Sequence, residues 1–202
     1  MKNTLVITTG RQFGSGGKDI GEKLASNMGI PFYDKELLGR AAKESGICQE
    51  LFELFDEKPR SLLYSLAMDP YTFGFNATIT ETPEQKVATA IADTIIKIAE
   101  EGSCVIVGRC ADYILKDRIN CLSVFICAPM EFRVAQVSKR LNIEPSKAEK
   151  MIIHTDKKRA AYYDFNTMKN WGDVDSYNLC IDSSRFGIEE TVNIIQNIAG
   201  RP

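Results

Sequence analysis

Short apolar runs alternate with amphipathic stretches along this chain of 202 residues. Continuous apolar runs indicate buried strands. They lie at 5–7, 30–33, 121–127 and 177–181, and in the segment 104–109, whose strand Gly108 and Arg109 end. Apolar residues with helical spacing indicate helices, and they lie at 18–28, 35–46, 83–101, 132–141, 145–163 and 188–198. We expect residues 164–176 to form a loop. This alternation predicts an α/β fold in which helices cover a parallel sheet of five strands.

The pattern is least regular over residues 47–82. Apolar residues at 51, 52, 54 and 55 predict a short amphipathic helix, and prolines and glycines interrupt the rest. Three aromatic residues, Tyr71, Phe73 and Phe75, fall in a long connection of the kind that often forms a lid or a binding loop. Packing on a nucleotide base and packing against the core or a partner subunit both fit these rings.

Composition narrows the classes of function. The net charge is −2 and no basic block is present, so we expect no binding to a nucleic-acid polymer. No apolar run reaches the roughly 20 residues of a membrane helix, and no signal peptide precedes the first strand. Six scattered cysteines without a C-x-x-C pair suit a reducing cytoplasm. The single histidine, His154, excludes a zinc site built from several histidines.

The first strand runs into a glycine-rich segment that predicts an anion site. Gly14, Gly16 and Gly17 allow backbone N–H groups to converge, and the following helix begins with a positive N-terminus. Lys18 adds a full charge beside this turn. A glycine-rich turn with a solvent-exposed lysine is the alternative interpretation.

The segment matches the phosphate-binding pattern G-x-x-x-x-G-K-[ST] only in part. Gly17 and Lys18 fit the pattern. Gln12 occupies the position of the first glycine, and Asp19 occupies that of the hydroxyl residue that binds Mg²⁺.

Charged residues follow two other strands. Asp34 comes directly after the second strand, with Arg40 six positions later, and Arg109 ends the third. Because ligands of parallel α/β sheets bind beyond the carboxyl ends of the strands, these residues are candidates for a second ligand. Asp34 could instead cap the next helix, and Arg109 could instead pair with Asp112 on the surface.

A charge run lies inside the predicted helix 145–163, at Asp156, Lys157, Lys158 and Arg159. Such a run forms either a solvated helix face or a cationic lid that closes over a phosphate in transfer.

Five blocks of the sequence, taken together, resemble the cytidylate kinase-like family of P-loop nucleoside monophosphate kinases. They are GSGGKDIGEKLA, PFYDKELLGRAA, CVIVGRCADYIL, DKKRAAYY with NWGD, and IDSSRFGIEE. The resemblance implies a three-layer fold with strand order 2-3-1-4-5, ATP with Mg²⁺ as donor, and a nucleoside monophosphate as acceptor. It also implies one domain over 1–202, with a core at 1–46 and 102–202, an acceptor-side insert at about 47–101 and a lid at about 142–172.

The resemblance also assigns roles to residues. The donor-phosphate loop comprises Gly14, Ser15, Gly16, Gly17 and Lys18, with Ser15 or Asp19 as possible Mg²⁺ ligands. The acceptor residues are Asp34, Arg40 and Arg109. Arg133 is a lid-base arginine near the adenine, and Lys157, Lys158 and Arg159 form the lid. Three features depart from the family pattern: Asp19, Cys110 after Arg109, and lysines in place of lid arginines.

The leading hypothesis is transfer of the γ-phosphate of ATP to a CMP-like or dCMP-like acceptor in the cytoplasm. A kinase for a small molecule other than a nucleotide and a nucleotide-binding regulatory protein without catalysis are the alternatives. A purely structural protein would leave the arginines at the strand ends unexplained. The sequence leaves the oligomeric state open.

Overall fold

The computed structural model describes residues 4–55, 82–117 and 120–200. Its sheet has five parallel strands in the order β2-β3-β1-β4-β5, which confirms the predicted order. The strands are β1 (Val6–Arg11), β2 (Phe32–Tyr33), β3 (Cys104–Val107), β4 (Cys121–Cys127) and β5 (Leu179–Asp182).

Helices connect the strands over the described residues. They are α1 (Gly17–Met28), α2 (Glu36–Ser45), α3 (Gln49–Phe55), α4 (Pro83–Glu101), α5 (Ala111–Ile114), α6 (Met130–Leu141), α7 (Pro145–Thr167) and α8 (Ser183–Ala199), with a 3-10 turn at Val174–Ser176. Helix α3 confirms the short helix predicted within the irregular region. Helix α4 begins at Pro83, where the Thr82 hydroxyl caps the Gln85 amide in a capping box.

The two faces of the sheet build two separate cores because neighbouring residues of a strand point to opposite faces. Val6 and Ile106 pack into a cluster with α2, α3 and α4. Ile7 and Val105, one position away on the same strands, pack into a second cluster with α1 and α8. Helices therefore cover both faces of the sheet, as the three-layer prediction requires.

Two helices extend four or more residues beyond their predicted bounds. Helix α7 continues past residue 163 to Thr167, because Tyr163 and Thr167 are buried and their packing carries the helix onward. Helix α8 begins at Ser183 rather than 188, although Gly187 has non-helical angles inside it. The predicted loop 164–176 is correspondingly shorter.

The aromatic residues Tyr71, Phe73 and Phe75 lie outside the described residues, and their role in packing stays a prediction. The division into core, insert and lid stays a prediction. No helix in the described part of the chain is long and apolar enough to cross a membrane.

Candidate active site

The glycine loop between β1 and α1 has a backbone that only glycine adopts easily. Gly14 and Gly16 have φ angles of 85° and 77°. A Cβ at Gly14 would lie 3.1 Å from the carbonyl oxygen of Arg133, and one at Gly17 would lie 2.5 Å from the Cβ of Arg11. Because α1 begins at Gly17, the loop delivers the positive end of that helix to one point. This arrangement suits an anionic ligand.

Ser15 anchors this loop from below. Its buried hydroxyl lies 2.9 Å from the Gln12 carbonyl oxygen and 3.1 Å from that of Ile126. The Ser15 carbonyl in turn accepts a hydrogen bond of 2.6 Å from the Ser183 hydroxyl. The side chain of Ser15 therefore engages the protein backbone, whereas Asp19, the other predicted Mg²⁺ ligand, is exposed and lines the cavity above the loop.

The cavity above the loop has a volume of about 330 Å³. Its charged lining is mostly basic: Arg11, Lys18, Lys35, Arg109, Arg140 and Arg159, against the acidic Asp19 and Asp34. No group of three histidine, cysteine, aspartate or glutamate side chains among the described residues could hold a metal ion by itself. The mostly basic lining suits an anionic ligand.

Asp34 connects the two sides of this cavity. Its carboxylate lies 3.0 Å from Lys18 Nζ and 3.5 Å from Arg109 Nη1. The hydrogen bond to Asp34 raises the pKa of Lys18, which therefore stays charged at neutral pH. The N-cap of α2 is Lys35, and that cap has no side-chain hydrogen bond. Asp34 thus faces two cations, and the alternative that it caps α2 is wrong.

Arg109 reaches the cavity through an unusual turn. Gly108, Arg109 and Cys110 have φ angles of 74°, 56° and 57°, so three successive residues are left-handed. This conformation is strained for residues other than glycine, and such strain concentrates at functional sites. Arg109 is 4% exposed, and its Nη1 donates a hydrogen bond of 3.2 Å to the Val107 carbonyl. The side chain is therefore held at the carboxyl edge of the sheet, not on an open surface.

Asp112, which the sequence offered as a surface partner for Arg109, contacts helix α7. It accepts a hydrogen bond of 2.6 Å from the Tyr163 hydroxyl of α7. Burial raises the pKa of the Asp112 carboxyl, and burial together with Asp112 raises that of the Tyr163 hydroxyl.

Arg40 lies outside the cavity lining. Its Nε donates a hydrogen bond of 2.8 Å to Glu44, and its Nη1 donates one of 2.8 Å to Glu101 on α4. The hydrogen bonds to Glu101 and then to Glu44 raise the pKa of this guanidinium. The structure therefore brings together two of the three predicted acceptor residues, Asp34 and Arg109, without the third.

Arg133 is buried against the backbone of the glycine loop. It is 5% exposed, its Nε donates 2.9 Å to the Ala128 carbonyl, and its Nη1 donates 3.3 Å to the Phe13 carbonyl. It also pairs with Asp156, whose carboxylate accepts a hydrogen bond of 2.7 Å from the Phe13 amide. Arg133 and Asp156 thus hold the loop backbone between them, and Arg133 does not line the cavity.

The charge run on α7 divides between two environments. Lys157 and Lys158 are exposed and lie outside the cavity lining. Arg159 lines the cavity, and its Nη1 donates a hydrogen bond of 3.1 Å to the Arg11 carbonyl.

Five further lining residues were not among the predicted site residues: Arg11, Gln12, Phe13, Lys35 and Arg140. Arg11 and Lys35 follow the strand-end rule and could have been found, because one ends β1 and the other comes two positions after β2. Gln12 and Phe13 could also have been found, because they lie in the loop directly before Gly14, whereas Arg140 reaches the cavity through the packing of α6 beside the loop.

Comparison with known proteins identifies the family. The model of the cytidylate kinase-like family matches residues 6–185. The chain belongs to this family. It is 24% identical to the cytidylate kinase of Methanopyrus kandleri over 202 residues, which cover 96% of this chain and 92% of that protein. It is also 32% identical to the cytidylate kinase of Methanocaldococcus jannaschii over 104 residues, which cover 50% of this chain and 58% of that protein.

Solved structures agree on the fold. An uncharacterized protein from Eubacterium ventriosum is 30% identical, with a TM-score of 0.71 and coverage of 98% of this chain and 99% of the other. The shikimate kinase of Bacteroides thetaiotaomicron has a TM-score of 0.55 at 16% identity, covering 96% and 98% of the two chains. Family and fold together make this chain a phosphotransferase of the P-loop kinase type.

Proposed function

We propose that this protein transfers the γ-phosphate of ATP to the phosphate of a nucleoside monophosphate, with CMP and dCMP as the first candidate acceptors. The observation that carries the proposal is the single cavity shared by the glycine loop with Lys18 and by Asp34 with Arg109. A donor-phosphate site and a second cationic site thereby face each other over a short distance. The names of the cytidylate kinases to which the chain is similar support the choice of acceptor.

The glycine loop and Lys18 hold the donor. Phosphoryl transfer requires mainly alignment and neutralisation of charge. Loop N–H groups, the N-terminus of α1 and the Lys18 ammonium surround the β- and γ-phosphates. Lys18 leaves Asp34 for the donor phosphates when ATP binds, since both anions compete for the same ammonium.

Arg109 and Asp34 hold the acceptor. The Arg109 guanidinium binds the acceptor phosphate, and a planar fork can contact two phosphate oxygens at once. Asp34 then orients the sugar or base of the acceptor. An acceptor phosphate oxygen forms the new bond to the γ-phosphorus while the bond to the β–γ bridging oxygen breaks. The products are ADP and a nucleoside diphosphate, and no proton must be removed from the already anionic nucleophile.

Further charge comes from the lid helix and from the metal that accompanies ATP. Arg159 faces the cavity, and Lys157 and Lys158 are close enough in sequence to follow it when α7 approaches the phosphates. Mg²⁺, when bound with ATP, neutralises charge on the phosphate oxygens, and Asp19 is the lining carboxylate that suits it.

Release of ADP from ATP and Mg²⁺ tests the proposal, with CMP, dCMP, UMP, AMP, GMP and dTMP supplied one at a time. A strong response to one monophosphate would support a nucleotide kinase and identify its acceptor. If none of the six monophosphates stimulates ADP release while ATP still binds, the proposal is overturned in favour of another acceptor or of a regulatory role. Absence of ATP binding would contradict our interpretation of the loop.

One observation favours a second candidate, a kinase whose acceptor is a small molecule other than a nucleotide. Arg40, which the family resemblance assigns to the acceptor, is paired with Glu44 and Glu101. An acceptor that needs fewer cationic contacts would not require its release. Equilibrium binding of the same monophosphates separates the two candidates, since a kinase of this second type would bind none of them tightly.

A further inference from the structure

The geometry points to Phe13 as a positioning residue that holds Arg140 and Arg159 at the phosphate cavity; this inference rests on the proposed function. Phe13 occupies the middle of the glycine loop and lines the cavity together with both arginines. The guanidinium carbon of Arg140 and that of Arg159 each lie 5.8 Å from the centroid of the Phe13 ring. Both distances fall within the range of a cation–π contact.

Three contacts fix Phe13, two through its backbone and one through its ring. The Phe13 amide donates to Asp156 of α7, and its carbonyl accepts from Arg133 of α6. Its side chain packs against the apolar cluster that joins these two helices, which contains Val137 and Ile152. The backbone and the ring of Phe13 are therefore tied to the helices that carry the two arginines.

The arginines need such a support because they come from separate elements. Arg140 is an exposed residue of the last turn of α6, and Arg159 lies two-thirds of the way along α7. A long exposed side chain loses rotamer freedom when it binds a ligand, and that loss opposes binding. A ring that already holds both guanidinium groups beside the cavity reduces this loss for a polyphosphate ligand.

An apolar filler of the gap between α6 and α7 is the competing role for Phe13, and matched variants separate the two. Phe13→Leu keeps an apolar side chain but removes the aromatic face, whereas Phe13→Tyr keeps the face. Phe165→Leu is the control, because Phe165 is an exposed phenylalanine of α7 outside the cavity lining. Binding of inorganic tripolyphosphate and of ATP to the full chain is measured by calorimetry.

We expect Phe13→Leu to bind tripolyphosphate about tenfold more weakly, with Phe13→Tyr and Phe165→Leu within about twofold of the unaltered protein. Phe13→Leu introduced into a protein that already carries Arg140→Ala and Arg159→Ala should add less than about twofold, because the contacts it removes are already gone. Equal losses for Phe13→Leu and Phe13→Tyr would overturn the inference, as would full affinity in Phe13→Leu.

A spectroscopic measurement on the unaltered protein tests the same contact, whether or not a variant folds. The Nε–H and Cδ proton resonances of Arg140 and Arg159 in the unaltered protein should show ring-current shifts, and Phe13→Leu should abolish them. Absence of these shifts in the unaltered protein would overturn the inference even if Phe13→Leu did not fold.

Neither measurement requires an acceptor, so the two proposals fail separately. Silence toward every monophosphate, with tripolyphosphate binding sensitive to Phe13, contradicts the proposed acceptor alone. Normal turnover with insensitive tripolyphosphate binding contradicts the role of Phe13 alone.

Discussion

Two clusters of cations and carboxylates, built from the same residue types, behave differently in this molecule. The inner cluster consists of Lys18, Asp34 and Arg109. Its contacts are 3.0 and 3.5 Å long, and both the Asp34 and Arg109 side chains are buried. Asp34 and Arg109 lie just beyond the carboxyl ends of β2 and β3, Lys18 lies in the first turn of α1, and all three line the cavity.

The outer cluster joins α2 to α4 and consists of Arg40, Glu44, Lys97 and Glu101. Its contacts are at least as short, with 2.8 Å from Arg40 Nε to Glu44 and 3.0 Å from Lys97 to Glu44. Its members lie on helix surfaces, and none lines the cavity. A short distance between the charged atoms therefore does not distinguish the candidate site from a surface cluster. The position of Asp34 and Arg109 at the carboxyl edge of the sheet and the burial of their side chains do.

The largest expected effect compares a lysine of the inner cluster with a surface lysine of the same helix. We expect Lys18→Ala to lower kcat by about 1,000-fold, because it removes the full charge beside the donor phosphates. Lys23→Ala is the matched control on α1, where Lys23 pairs with Glu189, and it should retain turnover. Steady-state kinetics with matched circular dichroism spectra measure both. Retained turnover in Lys18→Ala would break the comparison.

The second prediction extends the comparison to stability. Arg133 and Asp156 form a buried pair, with side chains 7% and 16% exposed. Removing one partner of a buried pair leaves an uncompensated charge, so we expect Arg133→Met to lower the free energy of unfolding by about 3 kcal/mol. Arg40→Met, which breaks more exposed pairs, should lower it by less than about 1 kcal/mol. Urea denaturation of both variants measures the difference, and equal losses would mean that burial is not the deciding factor.

The third prediction compares the two arginines that the family resemblance assigns to the acceptor. We expect Arg109→Gln to lower kcat/KM for the acceptor by about 100-fold and Arg40→Gln to lower it by less than about threefold, because only Arg109 reaches the cavity. Saturation curves for the acceptor identified by ADP release provide the measurement. A large loss in Arg40→Gln would show that Arg40 leaves Glu101 when the acceptor binds.

The smallest expected effect concerns Asp112, a half-buried carboxyl that lacks the two cationic partners of Asp34. Burial raises its pKa above the ordinary value of 3.8, so the folded protein retains a proton that the unfolded chain releases. The stabilising contribution of Asp112 to the free energy of unfolding is therefore fully present below about pH 4 and is lost as the pH rises through the raised pKa. Asp112→Asn does not titrate, and its free energy of unfolding should fall less between about pH 4 and pH 7 than that of the unaltered protein. Parallel slopes in urea titrations would contradict this prediction.

Continuous apolar runs predicted all five strands of the described residues, and the ends of two of these strands led to Asp34 and Arg109 of the inner cluster. Asp34 and Arg109 could be found because the rule that ligands lie beyond parallel strands depends only on where a strand ends. Arg40 was assigned from its place six positions after Asp34 and from the resemblance, and a position on a helix does not reveal which carboxylates of a distant helix will pair with it. The bounds of α7 were missed for the same reason, since Tyr163 near its end is buried in a cluster with Phe125 and donates a hydrogen bond to Asp112, both of which lie far away in the chain.

The sequence by itself determined the sheet, the glycine loop and the family, because strand periodicity, glycine conformation and motif spacing are local properties of the chain. Only the tertiary structure decided that Arg133 supports the loop from beneath while Arg140, two turns further along the same helix, reaches the cavity. Two residues seven positions apart share one side of a helix, but the surroundings differ along its length. The packing of α6 against the glycine loop therefore decides the roles of these two arginines. That packing brings together segments more than a hundred residues apart in the chain.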